Sequence, residues 1–316
     1  MYRINPRVDF AFKKLFGSEE NKDLLLSLIN AIISKDEQIK EIELKNPYNL
    51  ADYQAGKMSI LDIKACDESG RWLNIEMQVG QDLQFDKRSI YYWAKLITEQ
   101  LGEGMPYREL TKTISINILG FDFIFGVEEF HNVYKIINVN TGKDDDLHDI
   151  FEIHYLELNK FKKNYHEIAN TLDKWSIFLT RAHELDKNHL PLELADDKEI
   201  FKAVSAVNRM FNEDERQIYE VRMKELLDIS SKLASAAEKY KCGLEKGLKK
   251  GMQKGMQKGM EKGMEKGMEK GILQGMQQEK LDIAKNLLGV LDVETIASKI
   301  GLTVEEINDL KDSIQK

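Results

Sequence analysis

Apolar residues recur along this chain at two periods, and the switches between them lay out the elements. Between residues 9 and 33, Phe12, Phe16, Leu24, Leu25, Leu28, Ile29 and Ile32 fall at helical spacing, which predicts amphipathic helix broken near Gly17-Ser18. A strand is expected at about 40–45. Residues 57–80, KMSILDIKACDESGRWLNIEMQVG, then change to period two. Leu61, Ile63 and Ala65 on one arm and Leu73, Ile75, Met77 and Val79 on the other make an apolar face, leaving Asp62, Lys64, Asn74, Glu76 and Gln78 on the opposite side. The turn cluster at 67–71 joins the arms into a β-hairpin. A pairing centred on Ser69 sets Asp62 across from Glu76.

Helical period returns at 86–101. Ile90, Ala94, Ile97 and Leu101 are expected to form the core stripe, with Arg88, Tyr92, Lys95 and Glu99 on another face. Residues 113–119 alternate Ile114, Ile116 and Ile118 with Ser115 and Asn117, a strand signal, and 133–139 and 151–158 are expected to extend the sheet. The order helix, three strands, helix, strand predicts an α/β protein: a mixed sheet flanked by helices in residues 1–160. From 161 to 240 the pattern is helical, with Ile168, Leu172, Trp175 and Leu179 on one segment and Ile200, Val204, Val207 and Phe211 on the next, an all-α cover. Asn212 with Glu215 reads as the start of a further helix.

Residues 241–278 hold a four-residue repeat, GLEKGLKKGMQKGMQKGMEKGMEKGMEKGILQGMQQ, with glycine leading each unit. On an α-helix positions four apart drift by about 40°, so the glycines wind round the rod, and each costs about 1 kcal/mol relative to alanine. Three readings fit: a self-associating or spacer helix in which glycines admit a partner and methionines fill the gaps, a flexible tether, or a basic strip. In residues 279–316 Asp292 caps a helix that Gly301 ends, and Thr303 with Glu306 forms a capping box for a second. Ile296, Ile300, Val304, Ile307 and Leu310 are expected to pack this pair. Its exposed acids suit docking better than groove reading.

Composition narrows the function classes. No apolar run approaches the ~20 residues that span a bilayer, and MYRINPRVDFAFKK lacks the order of a secretory signal, so a cytoplasmic protein without membrane contact is expected. Cys66 and Cys242 stand far apart, which fits structural thiols. Net charge of −8 over 316 residues rules against coating nucleic acid by bulk electrostatics, so any DNA contact is local. His131, His148, His154, His166, His183 and His189 offer no metal-binding pair on one helical face, and no serine or cysteine nucleophile motif accompanies them.

The hairpin carries the candidate chemistry. Two carboxylates directly across a strand pair, with Cβ atoms roughly 4.5–5.5 Å apart, repel unless something stands between them. Either Lys64 relieves them on a solvated face, or a divalent cation does, and hard oxygen ligands suit Mg²⁺. Asp62, a short hairpin, then Glu76-Met77-Gln78 resembles the Asp…(Glu)-x-Lys core of the PD-(D/E)XK nucleases, with glutamine in the last place. DFAFKKLFG at 9–17, ILDIKACDESGRWLNIEMQ at 60–78 and RSIYYWAKLITEQLGEGMPYREL at 88–110 look like the recombination-promoting nuclease and transposase (Rpn-like) family, over about residues 1–240.

That resemblance implies a restriction-endonuclease-like fold, a Mg²⁺-dependent (or Mn²⁺-dependent) DNA endonuclease linked to recombination, transposition or defence, and DNA as partner. It implies Asp62 and Glu76 as metal carboxylates, the Met77 carbonyl as a further ligand and Gln78 as the group that orients water. Asp9 matches the acid of the first block and either joins the metal shell or caps its helix. Glutamine cannot supply the lysine's charge. Lys64, on the same face, is the candidate replacement, and Arg88, Tyr92 and Lys95 are candidate phosphate contacts. A homo-oligomer formed through the repeat is expected. The rival reading is an inactive DNA-binding or assembly protein on a nuclease-derived scaffold.

Overall fold

A computed structural model describes residues 4–48, 63–82, 84–143, 149–207 and 209–314. Contacts divide the chain into two compact units, Met1–Leu233 and Ala234–Lys316. The first is built on a mixed six-stranded sheet. Its strands are β1 (Ile42–Leu44), β2 (Ile63–Asp67), β3 (Trp72–Gln78), β4 (Thr113–Leu119), β5 (His131–Lys135) and β6 (Phe151–Glu157), in the order β1-β2-β3-β4-β6-β5. β1, β2 and β3 run antiparallel, β3, β4 and β6 are parallel, and β5 closes the far edge antiparallel to β6.

The hairpin has the register its pattern predicts. Ile63 pairs with Ile75, Lys64 with Asn74, Ala65 with Leu73 and Cys66 with Trp72, all centred on Ser69. The turn is fixed locally: Asp67 Oδ1 accepts from the backbone N–H of Ser69 at 2.9 Å and of Arg71 at 2.8 Å, and Gly70 takes φ 85°, where a side chain would be strained. Asp62 lies outside the described residues, as does Leu61.

Helices cover both faces. On one side α1 (Asp9–Phe16), α2 (Lys22–Ile32), α4 (Thr171–Arg181) and α6 (Lys198–Val207), the last preceded by the single turn α5 (Leu192–Ala195), bury Phe10, Phe12, Phe16, Leu24, Leu28 and Trp175. On the other side α3 (Phe85–Thr98) lies over β3 and β4. It buries Phe85, Ser89 and Leu96, with Trp93 partly covered, rather than the expected stripe. Of that stripe Ile90 is half exposed, and Ala94, Ile97 and Leu101 are only partly covered. The helix answers an aromatic cluster of Phe121, Phe123 and Tyr155, and a contact this distant in sequence leaves no trace in the periodicity of 86–101.

With both faces covered, β4 is buried throughout, and Asn74, Glu76, Ser115 and Asn117 are buried although polar. This is the normal situation of parallel strands between two helical layers.

α7 (Glu213–Leu287) is one 75-residue helix that starts in the first unit and includes the whole repeat. Its start is the reciprocal Asn212–Glu215 box: Glu215 N–H donates to Asn212 Oδ1 and Asn212 N–H to Glu215 Oε2, both at 2.9 Å. Glu215 also accepts from the Lys14 ammonium and from Tyr48 Oη at 2.7 Å. Burial alone would raise its pKa; these hydrogen bonds outweigh burial and hold it below the usual carboxylate range. In the second unit, α8 (Val293–Ile300) and α9 (Val304–Ile314) pack with the last turns of α7 around Ala284, Ile296, Ala297, Leu302 and Ile307. Val304, expected in that core, is exposed. Among the described residues no helix is long and apolar enough to cross a membrane.

Candidate functional site

β3 is the strand on which the candidate chemistry converges. Glu76 is 4% exposed, and its register partner on β4 is Asn117, so the two side chains leave the sheet on the face that α3 covers. Asn74, two residues earlier, partners Ser115 in the same way. Asn117 Nδ2 donates to the His154 carbonyl at 3.2 Å and lies 3.4 Å from Ser115 Oγ, but among the described residues its Oδ1 has no hydrogen-bond partner, and neither end of the Asn74 amide has one. An orphaned buried polar group costs about 1–3 kcal/mol. A carboxylate with an unengaged amide oxygen beside it is a hard oxygen set of the kind that suits a hydrated divalent cation, so the described part of the site fits the metal that the hairpin implies.

Gln78 ends the strand and is held at both ends of its amide. Nε2 donates to the Gly80 carbonyl at 2.9 Å, and Oε1 accepts from Arg88 Nη2 at 2.9 Å. Arg88 is itself tied to Asp82 at 3.0 Å and stacks 5.6 Å from the centre of the Tyr92 ring. Tyr92 and Lys95 follow Arg88 along the same side of α3, each half-buried. Beyond Gln78 the end of β3 opens into a cavity of about 260 Å³ whose lining includes Arg7, Asp9, Met77, Gln78, Arg222 and Glu225. Asp9, the first residue of α1, lines this cavity and accepts from the Phe10 N–H at 2.7 Å through Oδ1; the N-cap of the helix is Val8, so Asp9 does not take the capping position expected of it.

Lys64 goes elsewhere. It shares the sheet face of Asn74, but its ammonium is paired with Glu99 at the end of α3 and lies 4.6 Å from the centre of the Trp72 ring. Both partners sit toward the turn end of the hairpin, away from Gln78.

A second charged cluster lies at the other end of the parallel strands. Glu37, Asp149 and Glu152 bring carboxylate oxygens within 4.8 Å of one another, a spacing that could hold a cation. Lys112 fills that role: its ammonium is 2.7 Å from Glu37, 3.0 Å from Asp149 and 2.8 Å from Glu152. Burial would lower the Lys112 pKa, yet its three carboxylate partners raise it above the usual lysine value. Glu152 continues inward, 2.6 Å from His154 Nε2, and His154 Nδ1 lies 3.0 Å from His131 Nε2. Burial, reinforced by His154 and opposed by Glu152, pushes the His131 pKa down to about 4. The cluster adjoins Thr113 and Phe151, and Gln78 lies six residues further along the paired strands, roughly 20 Å away. It is a charge-satisfied brace rather than part of the same site.

Arg7, Asn117 and the Glu152–His154 pair were not singled out from the chain. The alternation in residues 113–119 assigned Asn117 to a polar face, and only burial makes its amide conspicuous. Glu152 and His154, two apart on a strand, share one sheet face, a period-two signal that helical spacing of the histidines does not capture. A family model described as PD-(D/E)XK nuclease family transposase matches residues 6–236. No curated protein and no solved structure matches the chain.

Proposed function

The chain belongs to the PD-(D/E)XK nuclease family transposases, and from that membership we propose that it is a Mg²⁺-dependent DNA endonuclease acting in recombination, transposition or defence. The observation that carries this reading is Glu76, a buried carboxylate on the central strand, flanked in register by the unsatisfied amide oxygen of Asn117. Asp62, Glu76, the Met77 carbonyl and Asp9 would hold the cation, Mg²⁺ or Mn²⁺. A cation held there would supply polarisation of a phosphoryl oxygen and a lowered pKa for the attacking water. Gln78, its amide held by Arg88 and Gly80, orients that water. Burial under α3 excludes bulk water around Glu76 and strengthens its electrostatic interactions. Arg88, Tyr92 and Lys95 meet the DNA backbone along α3, a local contact consistent with a chain of net charge −8. Self-association through the repeat completes the proposal, supported by the nine exposed glycines and the exposed methionine row of α7.

The engagement of both ends of the Gln78 amide favours a second reading, a DNA-binding or assembly protein that has lost catalysis. Supercoiled plasmid incubated with Mg²⁺ and either the wild type or Glu76→Ala separates the two. The nuclease reading expects nicking by the wild type and a loss of at least about 10²-fold in the variant. Equal nicking by both overturns the site. DNA retention on a gel with no nicking by either selects the second reading.

A further inference from the structure

The Glu-x-Gln signature lacks the cation that its relatives with lysine possess, and three cations around β3 are already committed to carboxylates. Lys64 is paired with Glu99. Arg88 is paired with Asp82. Arg222, inside the cavity, lies 3.1 Å from Glu225. Arg7 lines the same cavity as Asp9, Met77 and Gln78, yet it has no carboxylate partner among the described residues, and its buried Nε has no hydrogen-bond acceptor. Burial pushes its pKa down from the ordinary arginine value, although a guanidinium remains charged throughout the working pH range.

Its backbone is nevertheless fixed. The Arg7 N–H donates to Asn5 Oδ1 at 3.1 Å, and the Asn5 N–H donates to Tyr219 Oη on α7 at 2.8 Å. The flanking Ile4 and Val8 are buried. A partly desolvated guanidinium on a fixed backbone, without a carboxylate partner among the described residues, is suited to an anion. Its planar fork matches the oxygens of a phosphate. Among the described residues lining the cavity the acids are Asp9 and Glu225; Glu225 is paired with Arg222, and Asp9 Oδ1 already accepts from the Phe10 N–H, so their repulsion of an incoming anion is limited.

We infer that Arg7 binds a phosphate at the end of β3 and supplies the positive charge that Gln78 cannot. The inference rests on the nuclease reading for its catalytic consequence, but the binding of phosphate stands apart from it.

The test uses the full chain with Arg7→Met and Arg7→Lys. Thermal melts are recorded with and without inorganic phosphate, and plasmid nicking is measured over a range of DNA concentrations. Phosphate is expected to raise the melting temperature of the wild type but not of Arg7→Met. Without phosphate, Arg7→Met is expected to melt at or above the wild-type temperature, because a desolvated unpaired charge has been removed. Its turnover is expected to fall about 10²-fold, with partial recovery in Arg7→Lys. An equal phosphate shift in both proteins, undiminished nicking by Arg7→Met, or a fall in both its melting temperature and its activity overturns the assignment. If the wild type does not nick, the nuclease reading fails, and the phosphate shift alone decides on Arg7.

Discussion

Replacing Gly251, Gly255, Gly259, Gly263 and Gly267 together by alanine sets two effects against each other in α7. A Cβ built at each of these positions meets nothing within 4 Å, so the substitution carries no steric cost within the chain. Each alanine then contributes its intrinsic helix preference of about 1 kcal/mol, and five of them about 5 kcal/mol, to a segment whose glycines and like-charged lysines leave it marginal. If helices from separate copies approach each other along the glycines, every added methyl group stands in that interface. The variant should therefore melt at a higher temperature by circular dichroism at 222 nm, while its mass by light scattering falls to that of one chain across a concentration series in which the wild type is associated. An alanine variant that associates as the wild type does would refute the role of the glycines. A wild type that is monomeric throughout would refute self-association itself.

Asn117→Leu removes the amide oxygen beside Glu76, so Mn²⁺ affinity measured by calorimetry should fall about 10- to 100-fold; an unchanged affinity removes Asn117 from the site. His131, held at about pKa 4 against an ordinary 6.5, binds fewer protons in the folded than in the unfolded state between those values. Its contribution to stability therefore declines as pH falls from 6.5 to 4, by up to about 3 kcal/mol, and His131→Gln should flatten that decline in urea titrations at pH 7 and pH 5. Glu152, held below the carboxylate range against the effect of burial by His154 and Lys112, acts in a lower window, its stabilisation being lost as pH drops below that range. An unaltered slope in His131→Gln would assign the whole acid response to the carboxylates. Lys112→Met leaves Glu37, Asp149 and Glu152 facing one another and should cost about 3–5 kcal/mol; retention of wild-type stability would mean that Lys135, 3.1 Å from Glu152, and Arg71, 3.6 Å from Glu37, suffice.

What could be read in the chain was what short range controls. The hairpin register follows from two alternating arms and one turn, so Ile63 opposite Ile75 and Lys64 opposite Asn74 were legible. The Asn212–Glu215 and Thr303–Glu306 boxes and the glycine that ends α8 with φ 71° were legible for the same reason: their partners lie within three or four residues. The family blocks located the candidate site on β3 and its surroundings.

The sequence by itself therefore determined most of the elements, the caps at Asn212, Asp292 and Thr303, and the register of the hairpin. Tertiary structure alone decided how α3 turns, what becomes of each charge and which polar groups are left unsatisfied. Ile90 and Phe85 are equally apolar on paper, and the aromatic cluster beneath α3 chooses between them. Lys64 shares a face with Glu76, yet Glu99 and Trp72 take its ammonium. Arg7, unremarkable in MYRINPRVDF, lines the cavity beside Gln78 with no carboxylate partner among the described residues. Periodicity fixes the direction in which a side chain leaves the backbone, but the free energy of a charge depends on everything that surrounds it, and those surroundings are assembled from residues far apart in the chain.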